Sequence, residues 1–206
     1  MNETNQQSSK PNNDLKPVWI GCDPAFRKSG FAICILDHTG EVAFKIFKNG
    51  FIDFQKWLMS DDRPQKAIVG IENSDLQKTI FVSHKLPNGG FVSAKKARFI
   101  KGSRKMTNRE LLSYASKVGK NQATSILACD LFIAVYGEQN VIQLSPRQKG
   151  GKIEDDRLFR AYARANKHKL TSYKGNKNEQ DKRDAYQCLI VAKEIYRKLQ
   201  RKRSPK

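Results

Sequence analysis

Residues 17–37 read PVWIGCDPAFRKSGFAICILD. The apolar run 18–22 has the length of a buried strand and ends on an acid, Asp23. PAFRKSG turns the chain, and FAICILD (31–37) resumes as a second strand. His38-Thr39-Gly40-Glu41 reads as a tight turn into VAFKIFKNG (42–50), so three consecutive strands form an antiparallel meander. Further out, Phe51, Phe54, Trp57 and Leu58 share one helical face, which predicts a short helix covering the sheet. Ala67 to Ile71 is another central strand, and it too closes on an acid, Glu72.

Residues 73–108 are less regular. Gly89-Gly90 and many lysines and arginines alternate there with Ile80, Phe81, Val82, Phe91, Val92 and Phe99, which predicts a hairpin inside a basic insertion. Asn108 is read as the cap of a helix that starts at Arg109 and runs on through NQATSILACDLFIAVYG. Gly119 either divides that helix or permits close packing. Residues 140–144 form the next strand, ended by Ser145-Pro146, and RQKGGK (147–152) reads as a basic linker. Helices follow over 153–167 and 180–200, the latter with Ala185, Leu189, Ala192, Ile195 and Tyr196 on its packed face. The expected organisation is a flexible leader over 1–16, one domain over 17–200 and a basic tail over 201–206. Its class is α/β: a mixed central sheet containing a three-strand antiparallel meander, flanked by helices.

The chain has 206 residues, enough for one sizeable core. Its 39 Lys and Arg against 20 Asp and Glu leave a formal charge of +19, which favours a polyanionic partner, nucleic acid ahead of an anionic membrane. No apolar run reaches the roughly 18 residues of a membrane span. Cys22, Cys34, Cys129 and Cys188 are widely separated in apolar surroundings and read as buried thiols. His38, His84 and His168 stand apart from one another, without the spacing of a zinc site.

Against this basic background, Asp23 and Glu72 each end an apolar strand, and Asp181 and Asp184 lie three apart at the start of the last helix. Three-residue spacing puts the latter two on one side of the helix, in the turn where exposed backbone donors favour negative charge. If the two strands are neighbours and the helix packs against their ends, the four carboxylates can surround hard divalent cations and support phosphodiester hydrolysis. The plain alternative is that each acid only terminates a strand or decorates a helix end.

IGCDPAFRKSGFAI, IVGIENSD and DKRDAYQCLIVA together resemble the three acidic motifs of the RuvC-like Holliday junction resolvases of the ribonuclease H-like superfamily. The resemblance implies a ribonuclease H-like fold, with Asp23, Glu72, Asp181 and Asp184 as catalytic and metal-holding residues. It also implies two Mg²⁺ ions per site, with Mn²⁺ as a substitute, and products ending in a 5′-phosphate and a 3′-hydroxyl. Branched DNA would be the substrate, a homodimer the working form, and the cytoplasm or nucleoid of a bacterial or phage-infected cell the setting. Two departures stand out: the stretch 73–108 is longer and more basic than in compact members, and Gln180 precedes Asp181 where many members have His.

The candidate DNA contacts are Arg27 and Lys28 in the first turn, and Lys95, Lys96, Arg98, Lys101, Arg104 and Lys105 in the insertion. Arg147, Lys149 and Lys152 flank the glycine link, and Lys182 and Arg183 sit near the acidic helix. Phosphate attraction is largely independent of sequence, whereas Phe91 or Phe99 could stack on opened bases or belong to a local core. The expected function is a structure-selective endonuclease that resolves four-way junctions by paired incisions. The alternatives are a nuclease of RNA–DNA hybrids or other branched DNA, and a catalytically inactive, architectural nucleic-acid-binding protein.

Overall fold

The computed structural model describes residues 16–24, 31–76, 82–175 and 179–203. The leader up to residue 15, the last three residues of the tail, Ile80 and Phe81, and the candidate contacts Arg27 and Lys28 lie outside the described residues. The strands of the main sheet are β1 (Val18–Cys22), β2 (Phe31–Leu36), β3 (Glu41–Phe47), β4 (Ala67–Glu72), β8 (Val141–Leu144) and β9 (Lys169–Leu170). Their order is β8-β4-β1-β2-β3-β9. β1, β2 and β3 form the expected antiparallel meander, while β4 pairs parallel with β1, β8 with β4 and β9 with β3. Only β2 therefore runs against its neighbours among the described strands of this sheet. The turn between β2 and β3 is held by Asp37, whose Oδ1 accepts from the backbone N–H groups of Thr39 and Glu41.

Strand alternation divides the core in two. Ile20, Cys22, Phe31, Ile33, Val69 and Ile71 face helices α1 (Phe51–Leu58) and α3 (Asn108–Tyr136). Cys34, Leu36 and Val42 face α5 (Asp156–Ala165) and α6 (Gln180–Arg203) on the other side. All four cysteines are buried free thiols, as their apolar settings predict.

Gly21 and Gly70 are direct neighbours in the β1–β4 register and lie under α6. A Cβ on Gly21 would run into the Ala185 carbonyl and the Leu189 side chain; one on Gly70 would meet the Cys188 carbonyl and Ala192. The glycine pair lets α6 cross the two acid-bearing strands at backbone contact distance.

α3 departs from expectation in two ways. Its cap is Thr107, one residue earlier than Asn108: the Thr107 hydroxyl accepts from the Glu110 N–H while the Glu110 carboxylate accepts from the Thr107 N–H. The helix also passes through Gly119 unbroken, and a Cβ there would meet nothing within 4 Å, so that glycine neither divides the helix nor permits a close approach. Ser125 Oγ donates to the Glu72 carbonyl at 2.7 Å, and Tyr136 Oη donates to the Pro64 carbonyl at 2.9 Å. The stretch 125–136 therefore covers the sheet from the end bearing Glu72 to the opposite end. The preceding stretch, 108–123, projects about 24 Å past the acid-bearing end at 1.5 Å per residue. Against this arm lie three short strands in the order β6-β5-β7: β5 (His84–Lys85), β6 (Phe91–Val92) and β7 (Arg104–Lys105). The one-turn α2 (Ala94–Ala97) links β6 to β7. Phe91 packs on Tyr114 with ring centroids 5.1 Å apart, and Arg104 grips Glu110 with both guanidinium arms, at 2.6 and 2.8 Å. The basic insertion is thus a folded platform on the projecting half of α3.

Candidate active site

Asp23 follows β1 directly and Glu72 closes β4, so the parallel pairing of these strands places both acids at the same end of the sheet. The first turn of α6 arrives there because of the glycine crossing. Asp184 is 1% exposed, and its Oδ1 accepts a 2.8 Å hydrogen bond from Gln180 Nε2. Glu72 registers its neighbours electrostatically: burial and then Asp23 push its carboxyl above the usual range, Lys149 pulls it down, and Asp184 pushes it up again. Three of the four expected acids, Asp23, Glu72 and Asp184, therefore converge. Asp181 is half-buried one turn before Asp184.

The residue that ties the site together is Lys149. Its Nζ lies 2.6 Å from Asp23 Oδ2 and 2.7 Å from Glu72 Oε2, with the side chain 7% exposed. The Asp23 contact is a directed hydrogen bond. Glu72 Oε2 is close enough for an ion pair, but no hydrogen bond is directed at it, so this buried oxygen keeps accepting capacity. Burial opposes the ammonium charge, and Asp23 with Glu72 outweighs it, holding Lys149 above the ordinary lysine range.

Local sequence explains why Lys149 reaches this point. β8 pairs with β4 so that Leu144 stands beside Glu72, and the next turn emerges at the acid end. RQKGGK is not a plain linker there: α4 (Pro146–Lys149) is a helical turn with Pro146 at its start. Ser145 accepts from the Gln148 N–H, and Gln148 Oε1 accepts from the Ser145 N–H. Gly150, at φ 90°, ends the turn, and Gln187 Nε2 holds the following loop through the Gly151 carbonyl at 2.8 Å.

The candidate phosphate contacts divide by location. Lys95, Lys96, Arg98, Lys101, Arg104 and Lys105 are exposed on the platform, as is Phe99 at 85% exposure. Arg104 is already committed to Glu110. Arg147 and Lys152 are exposed near the site. Lys149, Lys182 and Arg183 turn inward instead. Lys182 Nζ donates to Glu179 Oε1 at 2.6 Å and to the Ser172 carbonyl at 2.8 Å, and Arg183 donates to Tyr173 and Gln180. Near the start of α6, alternating charge in sequence does not distinguish a solvated lysine from one buried against a carboxylate.

The donors at the sheet end are carboxylate oxygens, the chemistry a hard divalent cation requires. Their arrangement is closed on an ammonium: among the described residues, no group of three or more His, Cys, Asp and Glu side chains is gathered around a point that would hold a metal ion. Asp23 and Glu72 share the one ammonium of Lys149, with Asp184 beside Glu72, so the acids at this end outnumber the lysine that bridges them. Sequence reasoning placed Lys149 near phosphate but missed its bridge between the acids; the signal was SPRQ directly after a strand, a capping box that commits the next residues to one turn. Comparison with protein-family models, with curated proteins and with solved structures finds no match.

Proposed function

We propose that the chain is a metal-dependent endonuclease acting on branched DNA, four-way junctions first among them, by paired hydrolysis of phosphodiester bonds. The observation that carries this reading is the convergence of Asp23, Glu72 and Asp184 at one sheet end of a protein with formal charge +19. The strand order β3-β2-β1-β4-β8, with β2 alone reversed, supports the ribonuclease H-like fold that the RuvC-like motifs imply. Asp23, Glu72 and Asp184 are the residues that would hold Mg²⁺, or Mn²⁺ in its place, with Asp181 as the fourth acid of the set. A bound ion of this kind polarises a phosphoryl oxygen and lowers the pKa of its water.

The chain's own residues do the remaining work. Gln180 orients Asp184, and the Gly21–Gly70 crossing holds α6 against the strand ends. Lys149 keeps the repelling acids together and supplies a cation at the place where a phosphate must arrive. The exposed lysines of the platform attract the DNA backbone without reading its sequence. Paired cuts in a two-fold branched substrate call for two such sites, so the proposed working form is a homodimer.

One observation favours a second reading. Lys149 already occupies the space between Asp23 and Glu72, as it would in a protein that binds branched DNA without cutting it. Labelled four-way DNA, linear duplex and RNA–DNA hybrid, each incubated with Mg²⁺ or chelator and with the Asp23→Asn variant, separate the readings. Paired Mg²⁺-dependent nicks near the branch, lost in the variant, are expected. Tight junction binding with no cut in any substrate would establish the binding protein, and cleavage of the hybrid with weak junction cleavage would move the assignment to a hybrid nuclease.

A further inference from the structure

α5 has the sequence DRLFRAYARA, and its buried residues Phe159 and Ala163 point into the core. Arg157, Arg160 and Arg164 follow one another at helical spacing on the exposed side. With His168, Lys169 and Leu170 they line an open cavity of about 610 Å³ between α5 and the edge strand β9. No acid lines this cavity among the described residues. Arg160 is shared with Asp156, at 3.0 Å, and Lys169 with Glu41, at 2.9 Å. Arg157 and Arg164 pair with no carboxylate among the described residues. Arg157 also lines a second cavity, of about 670 Å³, which reaches Lys152, Arg183 and Gln180 and is lined on its other side by Glu154, Asp155 and Asp156. Gln180 is the residue that holds Asp184. The two cavities therefore share a wall at Arg157 and run from Gln180, in the first turn of α6, down the outer side of α5.

We propose that this face of α5 is a second nucleic-acid track, on which Arg157 and Arg164 hold the sugar-phosphate backbone of a duplex arm leaving the acid centre. The proposal rests on the nuclease reading for the point at which the arm enters. From Arg157 to Arg164 the helix rises about 10 Å, which spans about three phosphates of one strand at 3.4 Å each. The groove lies on the sheet face opposite α3 and its basic platform, so a branched substrate would have one arm on each side of the acids. A duplex backbone suits this groove because Arg157 and Arg164 stand about two helical turns apart, without carboxylate partners among the described residues, along a cavity with no acid in its described lining, in a chain of formal charge +19.

The test is binding, measured in chelator so that cutting plays no part. Fluorescent four-way DNA and linear duplex are titrated with full-length protein at several salt concentrations. Wild type is compared with Arg157→Gln/Arg164→Gln, with Arg157→Lys/Arg164→Lys, and with Lys48→Gln/Lys56→Gln on the α1 side, which removes the same charge. The glutamine pair on α5 is expected to weaken binding about tenfold at ~0.1 M salt and to reduce the salt slope by about 1.8. The lysine pair should restore both, and the α1-side pair should leave the slope near wild type. Equal losses from the two glutamine pairs would overturn the track, because bulk charge would explain both. An α5-dependent slope in a protein that cuts nothing would keep the track and sink the nuclease; cutting with an α5-independent slope would do the reverse.

Discussion

Lys149 and Lys182 are both buried lysines held by carboxylates about 2.6 Å away, both near the amino-terminal turns of α6. Lys182 is locally satisfied. Glu179 lies three residues earlier on the chain, its other oxygen accepts from the Lys174 and Gly175 N–H groups, and the Ser172 carbonyl takes another Lys182 proton. That cluster closes on itself and fastens the loop before α6. Lys149 instead joins residues 126 and 77 positions away, on two different strands, while a third carboxylate, Asp184, stands beside them. One ammonium shared by two acids, with a third beside them, leaves Glu72 Oε2 without a directed hydrogen bond, whereas both oxygens of Glu179 accept one. A buried ion pair that is over-supplied with acids marks a place for another cation; a balanced one is masonry.

The largest effect expected from this contrast is on cleavage. Asp23→Asn or Glu72→Gln should lower the rate of Mg²⁺-dependent nicking by more than about a hundredfold, since even outer partners of metal ligands cost 10–100-fold. Glu179→Gln, assayed as folded protein at the same Mg²⁺ concentration, should leave the rate near wild type. A comparable loss in Glu179→Gln would erase the distinction.

Stability sharpens it. In chelator, Lys182→Met should cost about 3 kcal/mol, because the Glu179 carboxylate is left buried and unpaired. Mg²⁺ should stabilise this variant only as much as it stabilises wild type, in which the Lys149 ammonium still competes for the acids. Lys149→Met should also be destabilised in chelator, yet saturating Mg²⁺ should return about 2.7 kcal/mol at a hundred times its dissociation constant. Thermal melts with and without Mg²⁺ read both, and identical Mg²⁺ responses would break the comparison.

The same logic applies to two glycines. Gly70→Ala forces a methyl group into α6 and should cost about 2 kcal/mol, lowering the melting temperature by about 4–8 °C. Gly119→Ala adds its methyl group to open space in mid-helix and should stabilise by about 0.5–1 kcal/mol. A neutral Gly70→Ala would mean that α6 does not need its close crossing to bring Asp184 to the site.

The sheet and the acid-bearing strand ends were legible because burial writes itself into sequence: AICIL and AIVGI have nothing polar to place elsewhere. The positions of Asp23 and Glu72 followed from the same runs. What did not follow was the partner across the chain. Nothing in RQKGGK distinguishes a lysine reaching into the site from the exposed Arg147 two residues earlier; the difference is one turn of helix set by Ser145 and Gln148. The inward turn of Lys182 and Arg183 was hidden for a related reason, since α6 is buried along its first three turns and its charges are paid for by Glu179, Tyr173 and Gln180. The continuous α3 went unread at Gly119 because a single glycine costs a long helix little when the rest of it is anchored.

The smallest predicted effect lies midway along α6, where His168 is held neutral beside Tyr186 and Lys193. Its Nδ1 is 2.8 Å from Tyr186 Oη, and its Nε2 is 3.5 Å from Lys193 Nζ. Burial, then Lys193 and Arg197, lower its pKa to about 4. The unfolded chain takes up the proton near 6.5, so between these values it binds more protons than the folded protein does. The contribution is full above pH 6.5 and is lost as pH falls from about 6.5 to about 4. His168→Gln should remove this part of the acid sensitivity, seen as a flatter dependence of the unfolding midpoint over that window relative to wild type. Around His168 stand Tyr186, Lys193 and Arg197, with Glu194 on the same small cavity wall. If the two proteins lose stability in parallel between pH 6.5 and 4, the proton is taken up elsewhere, and Glu179, whose carboxyl is held against burial below its usual range by Lys182 and the Gly175 and Lys174 N–H groups, becomes the source to test next by the same comparison in Glu179→Gln. Glu72, raised in the fold, gains stability as pH falls and is not that source.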